Sequence, residues 1–416
     1  MISTDLVVCG AGPAGLMGAL LCGEYGIRVT LVDSNLKPGR KLLVSGSGKC
    51  NVSNTASLDR FCASYGQKSR FVKSCLSAFG PDSLRDFFER RGLPLVEAHD
   101  GKLFPETMCA SDVLDVLYGS CMTTRVGKGF SRSVESIEVA GEGNSRHFVC
   151  TTSREVYHCS CVLMATGGCS WPTTGSDGSG ISLAASLGHT IVTPRPALAP
   201  VYPRSYDAAS CSGLACEQCE VSLWRNGRKI LKRCGDVLFT HRGLSGPGIL
   251  DISRYIDRGD RITLNLVSLP DESAADTRLR DACAASPKKN VKNIVTSLGV
   301  AESLAVIVLA RSGCAPDCAA SDLPKNVRKQ LAKNLVSLEF EVDHTGGFSE
   351  AMATAGGIHT DEVIPSTMES RLVKGLFFAG EVLDVDGDTG GYNIHFALAS
   401  ARAAAQEIFR RIHGEI

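Results

Sequence analysis

The stretch DLVVCGAGPAGLMGALLCGEYGIRVTLVD, residues 5–33, decides the fold. Residues 5–9 (DLVVC) read as a buried strand, 13–25 (PAGLMGALLCGEY) as a helix with small residues on one side, and 27–33 (IRVTLVD) as a second strand. Together they make one βαβ unit of about 30 residues. The junction carries Gly-x-Gly-x-x-Gly at Gly10, Gly12 and Gly15, a weak signal alone in a chain with 43 glycines among 416 residues. Its context makes it strong: it follows an apolar strand, opens a helix, and is followed by Asp33 at the end of the next strand, 18 positions after Gly15. Gly10 permits the tight turn, Gly12 lets the backbone approach a diphosphate, and Gly15 allows close helix-to-sheet packing. The phosphates of a dinucleotide are expected on the free N–H groups of the helix N-terminus. Asp33 is expected to accept hydrogen bonds from the adenosine ribose and to disfavour a 2′-phosphate there.

Working outward, VYHCSCVLMATGG (156–168) is an apolar strand running into a glycine pair, and GLFFAGEV (375–382) repeats that logic near the C-terminus. Both are predicted to join one parallel sheet whose carboxyl ends open toward a ligand. Between them the texture changes. Residues 194–266 show short alternating segments, CEVSLWRNGRKIL (219–231) and DRITLNLV (260–267), with an Asn226-Gly227 hairpin signal. From about 270 to 335 the pattern is helical, in SPKKNVKNIVTSLGVAESLAVIVLARSG and LPKNVRKQLAKNLVSL. The predicted class is α/β, a doubly wound nucleotide-binding domain interrupted by an insertion that is antiparallel β first and helical after, with the nucleotide fold resuming near residue 345.

At 416 residues the chain exceeds the ~250–300 at which one core stops growing. Apolar residues at 44% and charged residues at 21% are globular values, and no apolar run reaches the ~18 residues of a membrane span. The opening MISTDLVVCGAG lacks a basic n-region and reads as a strand, so a cytoplasmic location is expected. Lys plus Arg equals Asp plus Glu at 44 each, so no global field attracts polyanions and no nucleic-acid partner is expected. Eighteen cysteines without a secretion signal fit reduced thiols. Cys216-x-x-Cys219 and Cys314-x3-Cys318 lack a second pair at finger spacing, so no metal is expected.

No second Gly-x-Gly-x-x-Gly occurs in strand-to-helix context. One dinucleotide is therefore held tightly, which favours FAD, and NAD(P)H, if used, is a transient co-substrate. GEVLDVDGDTGGYNIHFALASARAAAQEI (380–408) places a helix N-terminus near Gly391, Tyr392, Asn393 and Ile394, suited to an anionic reduced flavin ring. GRKLLVSGSGKCNVSN (39–54) is a small, polar segment that can run beside the isoalloxazine, with Arg40 or Lys41 meeting a phosphate or a carbonyl. Cys50 has no partner at Cys-x4-Cys spacing, which disfavours a dithiol mechanism and leaves a single sulfenate-forming thiol as a candidate. His241 and Arg242, in GDVLFTHRGLSGP, are candidates for contact with an acidic or carbonyl substrate; the alternative is a pair that caps the following turn.

Six separated motifs carry a likeness that spans nearly the whole chain: GAGPAGLMGA, GRKLLVSGSGKCNVSN, LMATGGCSWPTTGSDGSG, DVLFTHRGLSGPGIL, ATAGGI and TMESRLVKGLFFAGEVLDVDGDTGGYNIHFALAS. The chain resembles the BaiN/RdsA family of NAD(P)/FAD-dependent oxidoreductases, a group of bacterial flavoproteins that includes an aminoacetone oxidase. The resemblance implies a Rossmann-like, glutathione reductase-like FAD-binding domain split over 1–193 and 345–416, interrupted by a β-barrel-like insert (194–268 and 335–344) that carries a helical insert (269–334). It implies FAD contacts at Gly12, Ala14, Gly15, Asp33, Lys41 and the 45–51 loop, including Ser45, Gly46, Gly48 and Asn51. Further contacts are implied at Ala165, Thr166, Gly167, Gly380, Glu381 and residues 391–394, with Val134 meeting the adenine through its backbone. Gly10, Pro13, Ser34 and Arg40 complete the expected cofactor set. Lys49 stands where such proteins usually carry Arg, Trp171 where Tyr or Phe is commoner, and His395 where Gln is common; position 395 lies next to the proposed flavin site at 391–394, so His395 joins the catalytic candidates.

The expected function is hydride exchange between flavin N5 and a small organic substrate, with NAD(P)H or oxygen closing the cycle. The alternatives are a flavin-dependent redox sensor or interaction protein, and a one-thiol peroxide reductase built on Cys50. The motifs do not name the substrate, the catalytic residues or the oligomeric state.

Overall fold

Strand LVVC is apolar at every position, the pattern of a strand covered on both faces of a parallel sheet. In the computed structural model, which describes residues 2–141 and 146–414, this strand (β1, Leu6–Cys9) is fully buried and lies at the centre of a five-stranded parallel sheet. Its neighbours are β2 (Val29–Asp33), followed by β3 (Val126–Phe130), on one side, and β4 (Cys161–Met164), followed by β5 (Leu376–Phe378), on the other. The register aligns Leu6 with Val29 and with Cys161, so the carboxyl ends of β1, β2 and β4 finish at one level. Helix α1 (Pro13–Glu24) starts with proline at its first position, where the missing N–H costs nothing. Ten of its residues, Ala14 to Gly23, are buried, which explains why it shows no polar stripe. Gly18 admits Leu163, since a Cβ there would lie 2.4 Å from the leucine side chain. The long helix α3 (Tyr392–His413) packs against α1.

The chain divides into two compact units, residues 1–196 with 351–416, and residues 197–350. The first holds the parallel sheet, an antiparallel ladder of Val134–Ala140, His147–Thr152 and Val156–Cys159, and a small sheet of Ser53–Asn54, Leu95–Glu97 and Lys102–Pro105. The run 156–164 is two strands, not one: Val156–Cys159 pairs antiparallel with the ladder, and only Cys161–Met164 joins the parallel sheet. Continuous apolarity cannot show where a chain steps between two sheets, both of which bury it.

The second unit is a closed six-stranded barrel, in the order Val201–Pro203, Leu244–Ser245, Arg228–Phe239, Ala215–Arg225, Arg261–Asn265 and Leu338–Thr345. Asn226 and Gly227 both have positive φ (50° and 75°), as the tightest hairpin turn requires. Helices Glu272–Ala285, Val291–Ser297, Glu302–Arg311 and Lys325–Val336 share one apolar core with the barrel. Asp271 opens the first of them by accepting from Ala274 N (2.8 Å), an N-cap. The helical reading of 286–313 is realised as two helices broken at Gly299, whose φ is +97°. Among the described residues no helix is long and apolar enough to cross a membrane.

Candidate functional site

The Gly-rich turn lies at the carboxyl edge of the parallel sheet. Gly10, at φ +100°, passes so close to β4 that a Cβ would sit 2.5 Å from the Ala165 carbonyl oxygen. At Gly15 a Cβ would lie 1.8 Å from Gly10 O, so this glycine serves the protein's own packing. Gly12 differs. Its backbone (φ −79°, ψ −176°) suits any residue, and a Cβ there would meet nothing of the protein within 4 Å. Neither strain nor packing asks for glycine at this position, whereas close approach of a diphosphate to the backbone does. The first-turn N–H groups of α1, Ala14 and Gly15 among them, have no acceptor inside the helix and sit at its positive end. The residues present therefore fit a dinucleotide diphosphate.

Asp33 ends β2 beside this turn. Its Oδ2 accepts from Ala11 N (2.6 Å), and its Oδ1 accepts from Asn35 N (2.7 Å) and Asn35 Nδ2 (3.0 Å). It thus ties the turn to the strand end, leaving about one of its four lone-pair sites for a ribose. Ser34, next in the chain, is exposed. Arg132 N donates to Asp33 O (3.0 Å), which brings the chain leading into Val134 alongside.

A polar cluster occupies the same edge. Lys41, on the short helix α2 (Arg40–Val44), donates through Nζ to Glu381 Oε2 (2.6 Å) and to Ser170 Oγ. Ser170 Oγ donates in turn to Glu381 Oε1 (2.8 Å), which also accepts from Thr354 N (2.8 Å). Thr354 Oγ1 accepts from Cys169 N (2.8 Å) and Ser170 N (3.1 Å). Segments far apart in sequence are joined here: 41, 169–170, 354 and 381. Thr166 Oγ1, at the end of β4, is buried without a hydrogen-bond partner in the protein. Gly167 has φ +78°.

The C-terminal turn closes the edge. A Cβ at Gly380 (φ +73°) would lie 3.1 Å from Ala14 Cβ, so this turn rests on the start of α1. Gly391 (φ +95°) presses on Ser53, where a Cβ would be 2.4 Å from the carbonyl oxygen. Turned to suit its neighbours, the Asn51 amide accepts from Gly391 N (3.2 Å). The loop holding Ser45, Gly46 and Gly48, whose Gly46 and Ser47 are left-handed, thereby continues into a strand that abuts the N-terminus of α3. There Asn393 Oδ1 accepts from Gly387 N (2.7 Å), Tyr392 O accepts from Tyr65 Oη (2.8 Å), and Ile394 is half-buried.

The structure gives the catalytic candidates other surroundings. His395 is 0% exposed; Nε2 donates to Phe79 O (2.8 Å), which leaves Nδ1 to accept from Ser53 Oγ (2.6 Å). Burial pushes its imidazole down to about 4, so it is a neutral core group. Cys50 is fully buried and burial pushes its thiol up to about 12, the environment of an inert thiol. His241 and Arg242 are exposed in the second unit, where Thr240 Oγ1 caps their turn and Arg242 lies over the Tyr202 ring at 4.6 Å. Cys216, Cys219, Cys314 and Cys318 are free thiols, and among the described residues no group of three His, Cys, Asp or Glu is placed to hold a metal ion. Sequence reasoning assigned no role to Ser170 and Thr354. Both stand in motifs that carry the family likeness, LMATGGCSWPTTGSDGSG and ATAGGI, and that was the signal.

Such a fold, with its glycine-turn cradle at the carboxyl edge of a parallel sheet, defines a Rossmann-like FAD-binding protein. The chain belongs to the family described as HI0933-like protein Rossmann domain, whose model matches residues 4–407. It is similar to the ribosomal RNA dihydrouridine synthase of Escherichia coli, 33% identical over 407 residues covering 97% of this chain and 98% of the relative. It is also similar to the 3-dehydro-bile acid delta(4,6)-reductase of Clostridium scindens, 29% identical over 415 residues covering 96% and 98%. Among solved structures, a quinol-fumarate reductase has the same fold, with a TM-score of 0.53 at 16% identity over 100% of this chain and 72% of that one. The family resemblance seen in the sequence therefore holds, and the chain is a flavin-dependent oxidoreductase by family.

Proposed function

We propose that this protein is an FAD-dependent reductase that adds hydrogen across a carbon–carbon double bond polarised by a carbonyl, with the uracil ring of an RNA as the first substrate to test and NAD(P)H as reductant. The reading rests above all on Gly12, whose backbone is open to a ligand where the protein has no need of glycine. The relatives' names add the chemistry. Dihydrouridine is uridine with its ring double bond saturated, and a delta(4,6)-reductase of a 3-dehydro bile acid reduces double bonds conjugated to a ketone. The two substrates share nothing but an alkene conjugated to a carbonyl.

Bound FAD supplies hydride transfer at its N5. In this chain the N–H groups at the start of α1 bind the diphosphate, and Asp33 fixes the turn that presents them. Lys41 holds a positive charge at the same edge. Two of the three N–H donors of its ammonium are engaged by Glu381 and Ser170, which leaves one for an oxygen on which negative charge develops. Glu381 and Ser170 fix where that proton-bearing nitrogen stands. The sequence-based expectation of a small-molecule substrate without nucleic acid remains the competing reading, represented by the bile-acid relative.

The test is an anaerobic assay with holoenzyme, NADPH and a uridine-containing RNA oligomer, read by mass spectrometry. Repeated turnover with a gain of two hydrogens per modified uridine is expected. A flavin that NADPH reduces but that returns to the oxidised form only with oxygen contradicts the proposal and favours the redox-sensor alternative.

A further inference from the structure

Trp171 stands out in the first unit as a side chain whose placement the fold does not explain. Its backbone is left-handed (φ 56°, ψ 59°), a region that bulky residues rarely adopt, and the residue nevertheless keeps 37% of its surface open to solvent. A glycine or asparagine would relieve that conformation. The conformation is nevertheless held from both sides. On one side Ser170 is fixed by Lys41, Glu381 and Thr354; on the other, Trp171 O accepts from Thr174 N (2.8 Å) and Thr174 Oγ1 (2.7 Å). Strain that the surroundings enforce on an exposed side chain, one residue from a polar cluster at the sheet's carboxyl edge, marks a ring held for something outside the protein.

A cation shares the same rim. Thr174 O accepts from Asn35 Nδ2 (3.0 Å), and Asn35 Oδ1 accepts from Arg40 Nη1 (2.6 Å), so the turn that carries the indole is tied to an exposed guanidinium. Among the described residues no carboxylate pairs with Arg40. A solvent-open indole whose turn is linked through Asn35 to an arginine without a carboxylate partner is an arrangement suited to take a planar base by stacking and its phosphate by charge.

We propose that the Trp171 indole is the stacking platform for the nucleobase that the enzyme reduces, with Arg40, tied to the same turn through Asn35, to meet a flanking phosphate; this rests on the reading of the substrate as an RNA uracil. The chain has two tryptophans, and the other, Trp224, lies in the second unit with its Nε1 on Thr263 Oγ1 (3.1 Å), so Trp224→Phe leaves Trp171 as the sole reporter.

The experiment titrates a uridine-containing RNA oligomer into the Trp224→Phe holoenzyme and follows indole emission. It then compares oligomer binding and steady-state kinetics in Trp171→Ala and Trp171→Phe. Saturable quenching is expected, with binding weakened by about 10- to 100-fold in Trp171→Ala and by no more than about threefold in Trp171→Phe, the change falling on KM and not on kcat. Unaltered emission together with unaltered KM in Trp171→Ala overturns the proposal. So does quenching by NADPH or by a steroidal enone where the RNA has no effect. If the wild-type enzyme makes no dihydrouridine while quenching and the Trp171→Ala loss of binding both persist, the proposed reaction fails and Trp171 stands as an RNA contact whose base is not reduced. If it turns the oligomer over and Trp171→Ala is normal, the platform alone fails.

Discussion

Alanine substitution at Gly12 and at Gly15 separates the two uses of glycine in the turn. At Gly15 the added Cβ would lie 1.8 Å from Gly10 O, a backbone atom that cannot move without dislodging β1, so the folded state itself suffers. At Gly12 it would meet nothing of the protein within 4 Å, on a backbone any residue tolerates. Gly12→Ala should therefore leave apoprotein stability unchanged or raise it by about 0.4–1 kcal/mol through the unfolded chain. The same methyl occupies the approach to the α1 N–H groups. Losing one hydrogen bond to a charged phosphate removes about 1.5–3 kcal/mol, a weakening of FAD binding by about 10- to 150-fold. Urea unfolding of the apoprotein and fluorescence titration with FAD read the two effects apart. Normal FAD affinity in Gly12→Ala, or an apoprotein as damaged as Gly15→Ala, would show that Gly12 is not kept for the diphosphate.

Other outcomes follow from the buried groups and the edge cluster. His395 binds a proton more readily in the unfolded chain, near its ordinary 6.5, than in the fold at about 4, so its contribution is complete above about pH 6.5 and is lost as pH falls toward 4. Between pH 7 and pH 5 the loss should be about 2 kcal/mol in urea unfolding, reduced in His395→Gln; an equal pH slope in both proteins counts against it. Burial lowers His189 as well, which adds to the loss in the same direction. Cys50→Ala should keep full turnover, since a thiol held at about 12 offers no thiolate, and inactivation would restore the one-thiol mechanism. Lys41→Met leaves the Glu381 carboxylate without its cation. FAD affinity and turnover should both fall by about tenfold or more, with part of the affinity recovered on adding Glu381→Gln; wild-type values in Lys41→Met would remove the lysine from the site.

The parts of this fold that were legible from residues are those with local causes. Residues 5–33 announce themselves because strand apolarity, a glycine turn and a terminal Asp33 all lie within one βαβ unit. Asn226-Gly227 does the same for the barrel hairpin. The step from one sheet to another at Ser160 was not legible, since both strands around it are buried and apolar. Nor was the Lys41–Ser170–Thr354–Glu381 cluster, whose members are scattered over 340 positions and meet only through the sheet's topology. His395 misled for a related reason: nearness in sequence to Gly391 and Ile394 says nothing about which side of the helix a residue faces, and one turn in, the ring points to Phe61 and Phe79.

Competition between FAD and its fragments for the apoprotein tests most directly whether a dinucleotide is gripped by its diphosphate at the first strand–helix junction. One FAD per chain is expected, displaced by ADP, with riboflavin binding far more weakly than FAD. Riboflavin bound as tightly as FAD, or FAD indifferent to excess ADP, would mean that the diphosphate is not gripped there.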